Sequence, residues 1–162
     1  MNKYLSRIWK HLGKNIQWFA IWIFHSKFNV GLSVIIPNTD GKLLLGKHVF
    51  SSQTPWRLIG GYINKNENIF DAAKREAKEE LGIDVEPVRV LRIRSGFSYR
   101  IEITLVTRPV PADVVLKLAP KELDEIGWFE PGSEPIDTLE SHKYLLNLYK
   151  DSPAGYVEIR NL

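Results

Sequence analysis

Apolar positions along this chain switch between two periods, and the switches mark its elements. Leu5, Ile8, Trp9, Leu12, Ile16, Phe19, Ala20 and Ile23 keep helical spacing with basic residues interleaved, so residues 1–28 read as an amphipathic helical extension. Gly13 interrupts that run, which leaves one kinked helix or two short helices. Val30 to Ile36 predicts a buried strand, Asn38-Thr39-Asp40-Gly41 after Pro37 a turn, and Lys42 to Lys47 the hairpin partner. Trp56 to Ile63 predicts a short extended segment running into a glycine loop. Phe70, Ala73, Ala77 and Leu81 then return to helical spacing as a stripe suited to anchoring a helix on a sheet, with Ala77 permitting close approach. Val88 to Ile93 and Arg100 to Val106 predict strands joined by a hairpin loop at Ser95-Gly96-Phe97-Ser98, and Val114 to Leu118 and Glu125 to Phe129 predict two more. Ile136, Leu139, Tyr144, Leu145 and Leu148 give Pro135 to Tyr149 a helical pattern, and Pro153 and Gly155 mark residues 151–162 as a C-terminal tail. The sum is an α/β chain in which helices sandwich a mixed sheet.

The helix near residues 69–81 carries the candidate chemistry. Asn68, followed three residues later by Asp71, resembles a capping box, which starts the helix near Ile69, and Gly82 ends it. At about 100° per residue, Glu76, Glu79 and Glu80 project within one sector. Three like charges there repel unless something positive joins them. Carboxylate oxygens suit Mg²⁺ or Mn²⁺, and Mg²⁺ in particular combines a few carboxylates with water and substrate phosphates.

Gly61, five residues, Glu67, seven residues, then Arg75-Glu76, Ala77, Lys78, Glu79-Glu80, Leu81, Gly82 and Ile83 resembles the Nudix box. Every fixed-type position is filled. Ala77 stands where relatives often carry a larger aliphatic residue, and Ile59 where many have proline. The order of surrounding elements extends the resemblance over about residues 29–150, and it implies an α/β/α sandwich. The implied activity is a metal-dependent pyrophosphohydrolase cleaving a nucleoside diphosphate linked to another moiety, by attack of water on phosphorus. Glu76, Glu79 and Glu80 are then expected as metal ligands, joined by the Gly61 carbonyl. Arg75 is expected to orient the box carboxylates and Glu67 to be a structural partner. The base in this family is a box glutamate or an acid from a later loop, here Glu122 in Lys121-Glu122-Leu123-Asp124-Glu125. A nucleotide-binding module without turnover, or removal of pyrophosphate from RNA 5′ ends, are the alternatives to cleavage of a small nucleotide.

Which nucleotide is cleaved is not written in the box. The proline that ADP-ribose-cleaving branches commonly carry after it is missing, and Ser98-Tyr99 stands in that neighbourhood; Tyr99 is the kind of residue associated with diadenosine polyphosphate hydrolases. The coenzyme A pyrophosphatase signature is absent. Tyr99, Tyr62 and Phe97, with Phe50, are aromatic candidates for stacking on a base.

Composition changes this picture in two ways. No cysteine is present, which excludes disulfides and thiolate metal sites, fits a cytoplasmic location, and counts against the isoprenoid diphosphate isomerase branch. The net charge of +3 is unevenly spread: Lys3, Arg7, Lys10, Lys14 and Lys27 all precede the first acid, Asp40, and without those five charges the remainder stands at −2. A general nucleic-acid surface on the domain is therefore not expected. For the basic N-terminal segment three readings are open. It packs on the chain's own sheet or a homodimer mate, attaches peripherally to an anionic membrane surface, or captures a polyanionic substrate. Its unbroken apolar run, Trp18 to Phe24, is too short for a bilayer, which needs about 20 residues.

Overall fold

The computed structural model describes residues 6, 9–25, 27–97, 99–152 and 157–161. Helix α1 is Lys14–Phe24, strand β1 Asn29–Ile35, β2 Leu43–His48 and β3 Trp56–Arg57. Then follow α2 at Ile69–Leu81, β4 at Pro87–Phe97, β5 at Arg100–Thr107, β6 at Leu123–Phe129, α3 at Glu140–Asp151 and β7 at Glu158–Asn161. Leu5, Ile8 and the basic residues Lys3 and Arg7 lie outside the described residues.

A mixed four-stranded sheet has the order β1-β5-β4-β7, with β1 and β5 parallel, β4 and β5 antiparallel, and β4 and β7 parallel. A second, antiparallel sheet has the order β3-β2-β6. Alternation along the strands divides the core in two. Leu32, Val34, Leu44 and Leu105 meet Ala73, Ala77 and Leu81 of α2, while Ile35, Leu43, Leu45, Leu91 and Val106 meet Leu145 and Leu146 of α3. Helices thus cover opposite faces, as the stripe in α2 and the pattern in α3 require.

Four expectations are corrected. The turn after Pro37 forms, with Asn38 Oδ1 accepting from the Asp40 and Lys42 amides at 3.0 and 2.9 Å and Gly41 at φ +84°, but β1 and β2 are not a sheet hairpin. They share one bridge, Pro37 with Leu43, and then β2 diverges to pair with β6. Val114 to Leu118 forms no strand, because this segment runs past the end of α2, where the Lys117 and Ala119 amides donate to Leu81 O (2.8 Å) and Glu80 O (3.1 Å). A helix end leaves such carbonyls unpaired, and the strap satisfies them. Ser95 to Phe97 continues β4 in place of the expected loop, and α3 begins at Glu140, beyond the expected Pro135.

Pro153 and Gly155 lie outside the described residues, yet within the stretch read as a tail Glu158–Asn161 is a strand. Glu158 anchors it, with Arg92 Nε 3.0 Å from its carboxylate and the Tyr144 hydroxyl donating to it at 2.7 Å. At the other end of the chain Gly13 divides the helical segment and caps α1, and none of the α1 side chains is buried. The helix does not pack on its own sheet.

Candidate active site

Helix α2 is fixed at both ends by its own sequence. Asn68 Oδ1 accepts from the Phe70 amide at 2.8 Å and Gly82 adopts the left-handed conformation that terminates the helix, at φ +69°. Its carboxylates therefore stand in a defined position beside the loop Ile59 to Ile63, which pairs with β1: the Leu32 amide donates to Gly61 O and the Val34 amide to Ile59 O, each at 2.8 Å. Gly60 holds φ +151°, and a Cβ there would meet the Leu32 carbonyl. A Cβ on Gly61 would lie 2.7 Å from Glu76 Cδ. Both glycines are needed for close approach.

Arg75 is the hub. Its Nε and Nη2 donate to the two Glu67 oxygens at 2.7 and 3.0 Å, Nη1 donates to Glu76 Oε1 at 2.7 Å and Glu79 Oε2 at 3.1 Å, and Nη2 also donates to Tyr62 O at 3.0 Å. Glu67 is held well below the usual carboxylate range, at about 2, first by Arg75 and then by the Asn64 amide, which donates at 2.8 Å.

Glu76 and Glu80 are buried, whereas the Glu79 side chain is 57% exposed. Burial, opposed by Arg75, pushes the Glu76 carboxyl upward. Glu80 is pushed up to about 8, first by burial and further by the charges of Glu76, Glu122 and Glu79. Its Oε1 accepts from the Gly60 amide at 3.0 Å, while its buried Oε2 has no hydrogen-bond partner. Among the described residues no three acidic or imidazole side chains form a finished metal cage. The donor set still fits a hard cation. An orphaned buried carboxylate oxygen and a second acid nearby match an ion that takes few protein oxygens and completes its shell with water and phosphate. The Gly61 carbonyl already accepts from Leu32, which leaves it one lone pair.

Glu122 is exposed on the segment before β6, and its charge acts on both Glu76 and Glu80, so the fold brings it to the cluster. Tyr62 is half exposed beneath the Arg100 guanidinium, 5.4 Å from its ring centre. Tyr99 has φ +53° and lies 6.4 Å from the Phe28 ring. Phe97 ends β4, and its side chain falls outside the described part. Phe50 is exposed and lies apart from the polar pocket that opens from the glycine loop.

A polar pocket of about 290 Å³ opens from the glycine loop, with Ser33, His48, Arg57, Arg100, Glu102 and His142 in its walls. Sequence reasoning passed over Arg57 and His142. Arg57 donates to Thr54 O at 3.1 Å and to Ser51 Oγ at 2.7 Å, neutral acceptors that hold a full positive charge without cancelling it. His142 Nδ1 accepts from the Leu58 amide at 2.9 Å, which assigns the proton of the neutral ring to Nε2. Burial, aided by Arg57, pushes His142 down to about 3 and lowers His48 as well.

That depression has a stability consequence. The unfolded chain binds a proton at this histidine below about 6.5 while the folded chain does not until about 3, so its contribution is present above pH 6.5 and lost as pH falls through that window. His142→Asn keeps an acceptor for the Leu58 amide and removes the titration. In urea unfolding the wild type should lose on the order of 2 kcal/mol more than H142N between pH 7 and pH 5.

A model of the NUDIX domain matches residues 27–149. The chain belongs to the Nudix family. Among its relatives, an RNA pyrophosphohydrolase of Hydrogenovibrio crunogenus is 40% identical over 72 residues, covering 44% of this chain and 41% of the relative. Nudix hydrolase 2 of Arabidopsis thaliana is 25% identical over 153 residues, covering 86% and 55%. The chain thus spans about half the length of these curated relatives. A NUDIX hydrolase from Nitrosomonas europaea superposes with a TM-score of 0.69 at 21% identity over 85% of this chain and 81% of that one. An ADP-ribose pyrophosphatase from Streptococcus suis superposes with 0.62 at 21% identity over 82% and 98%. At those identities the likeness establishes the Nudix fold.

Proposed function

We propose that the protein is a metal-dependent pyrophosphohydrolase acting on a small nucleotide in which a nucleoside diphosphate is linked to another moiety. One observation carries this reading: the buried, unpartnered Glu80 Oε2 stands in a carboxylate cluster beside the glycine loop from which the polar pocket opens. Glu76, Glu79 and Glu80 would hold Mg²⁺ or Mn²⁺, with the free lone pair of Gly61 O available to it. When bound, such an ion neutralises phosphate oxygens and acidifies nearby water. Arg75 keeps Glu76 and Glu79 in place. Glu79, exposed and with one oxygen outside the Arg75 pair, would take the proton of the attacking water, and Glu122, whose charge acts on Glu76 and Glu80, is the second candidate for that role.

The pocket is the substrate's place. Arg57 offers a fixed charge to a phosphate or other anionic group, His142 and His48 remain neutral at pH 7, and Tyr62 offers an aromatic face. Arg57→Met should raise KM about tenfold with little change in kcat, since loss of a charge-assisted contact made in both ground and transition state weakens binding alone. Steady-state kinetics separate the two constants.

The decisive experiment is a panel of ADP-ribose, diadenosine polyphosphates, nucleotide sugars, NADH and nucleoside triphosphates, assayed with Mg²⁺ or Mn²⁺ for phosphate products. Metal-dependent turnover of one member supports the reading and names the branch. Tight metal-dependent nucleotide binding without turnover overturns it in favour of a binding module. The RNA pyrophosphohydrolases among the relatives favour a second reading, so a 5′-triphosphorylated oligonucleotide belongs in the panel. Preference for it, with steep loss at high salt, would select RNA ends.

A further inference from the structure

Helix α1 leaves a large apolar surface uncovered. Ile16, Trp18, Phe19, Ile21, Trp22, Ile23 and Phe24 are all exposed, from 36% for Ile21 to 84% for Phe24. The polar residues Lys14, Asn15 and Gln17 sit in the first turn, and from Trp18 to Phe24 every position is apolar around the whole circumference. A surface helix of a globular body keeps one polar face for water. This one keeps none over about 10 Å of its length.

The charges around it indicate what covers it. No acidic residue occurs before Asp40. Lys10 and Lys14 precede the apolar stretch, and His25 and Lys27 follow it, with Lys27 Nζ 4.3 Å from the centre of the Trp22 ring. Trp18, Ile21, Trp22, His25 and Lys27 border an apolar groove of about 200 Å³. A second copy docked through the same surface would bring two sets of cations together with no acid on either segment to balance them. A bilayer rich in anionic lipid supplies both missing halves, an apolar layer for the aromatic residues and phosphate headgroups for the lysines. No helix among the described residues is long and apolar enough to cross a membrane.

We infer that residues 9–25, with Lys27, form a peripheral docking element that inserts the Trp18–Phe24 turns into an anionic lipid surface, while Lys10, Lys14 and Lys27 engage the headgroups. The inference is independent of what the active site hydrolyses.

The test uses the full chain with phosphatidylcholine vesicles, with and without phosphatidylglycerol, read by co-sedimentation and by tryptophan emission. Binding should require the anionic lipid, weaken at high salt and shift the emission to the blue. Trp18→Ser with Trp22→Ser, and separately Lys10→Gln with Lys14→Gln and Lys27→Gln, should each weaken binding about tenfold. Unchanged thermal midpoints would show that both variants remain folded, since these side chains touch no part of the core. Absence of binding to anionic vesicles overturns the inference, as does binding undiminished in the tryptophan variant. Concentration-dependent dimers that the tryptophan substitutions dissolve, without vesicle binding, would assign the surface to a second copy and overturn it too.

Discussion

Glu79→Gln should lower kcat for metal-dependent hydrolysis by about 10²–10⁴ while leaving the thermal midpoint nearly unchanged. The separation follows from burial. Glu79 is exposed, and it pairs with Arg75 Nη1 at 3.1 Å, an i,i+4 contact worth only a few tenths of a kcal/mol to the helix. Gln preserves the volume and an acceptor for that bond. It removes the negative charge that would help hold a divalent ion and the basicity needed to accept a proton from water. Glu80→Gln makes an instructive contrast, because Glu80 is 1% exposed and its carboxyl is held up to about 8. At that value Glu80 is mostly protonated near pH 7 without metal, so E80Q should match the wild type in stability without metal and should gain less stability from added Mn²⁺. Calorimetric midpoints with and without Mn²⁺, beside kcat, check both variants. Full activity in E79Q would remove Glu79 from the mechanism and leave Glu122 as the acid to test.

What could be read from the chain was the part encoded locally. The Asn68 cap, the Phe70-Ala73-Ala77-Leu81 stripe, the Gly82 stop and the sector shared by Glu76, Glu79 and Glu80 depend on spacings within one helix, and each reappears in α2. Elements decided by distant partners were not readable in this way. Asn38-Gly41 has sound turn chemistry, yet β2 goes to the second sheet because its pairing partner, β6, lies some eighty residues further on. Val114 to Leu118 has strand-forming residues, but the Lys117 amide, with that of Ala119 just beyond, is taken by the last carbonyls of α2. Arg57 and His142 share a pocket because the Leu58 amide donates to His142 across 84 positions, and no local spacing announces such a meeting. Glu122 was found from its place before a strand, and the structure adds that its charge reaches the cluster.

Arg75→Met should be the most destabilising single change at the site. Arg75 makes five hydrogen bonds that hold Glu67, Glu76, Glu79 and the Tyr62 carbonyl, so one substitution leaves three carboxylates without their counter-charge. Glu76 is 7% exposed and the Glu67 side chain 15%, so these charges cannot simply turn to water. At Glu76, the buried member of the group, losing the partner charge costs on the order of 3 kcal/mol. Two further measurements separate electrostatics from lost packing. Glu67→Gln in the R75M background should recover part of the loss, because it removes a stranded charge; if the two losses simply add, the pair is not coupled. Mn²⁺ should stabilise R75M more than wild type, since a divalent cation restores positive charge among Glu76, Glu79 and Glu80. If Mn²⁺ shifts the two midpoints equally, Arg75 and the metal do not share these carboxylates, and the assignment of Glu76 and Glu79 to both would have to be withdrawn.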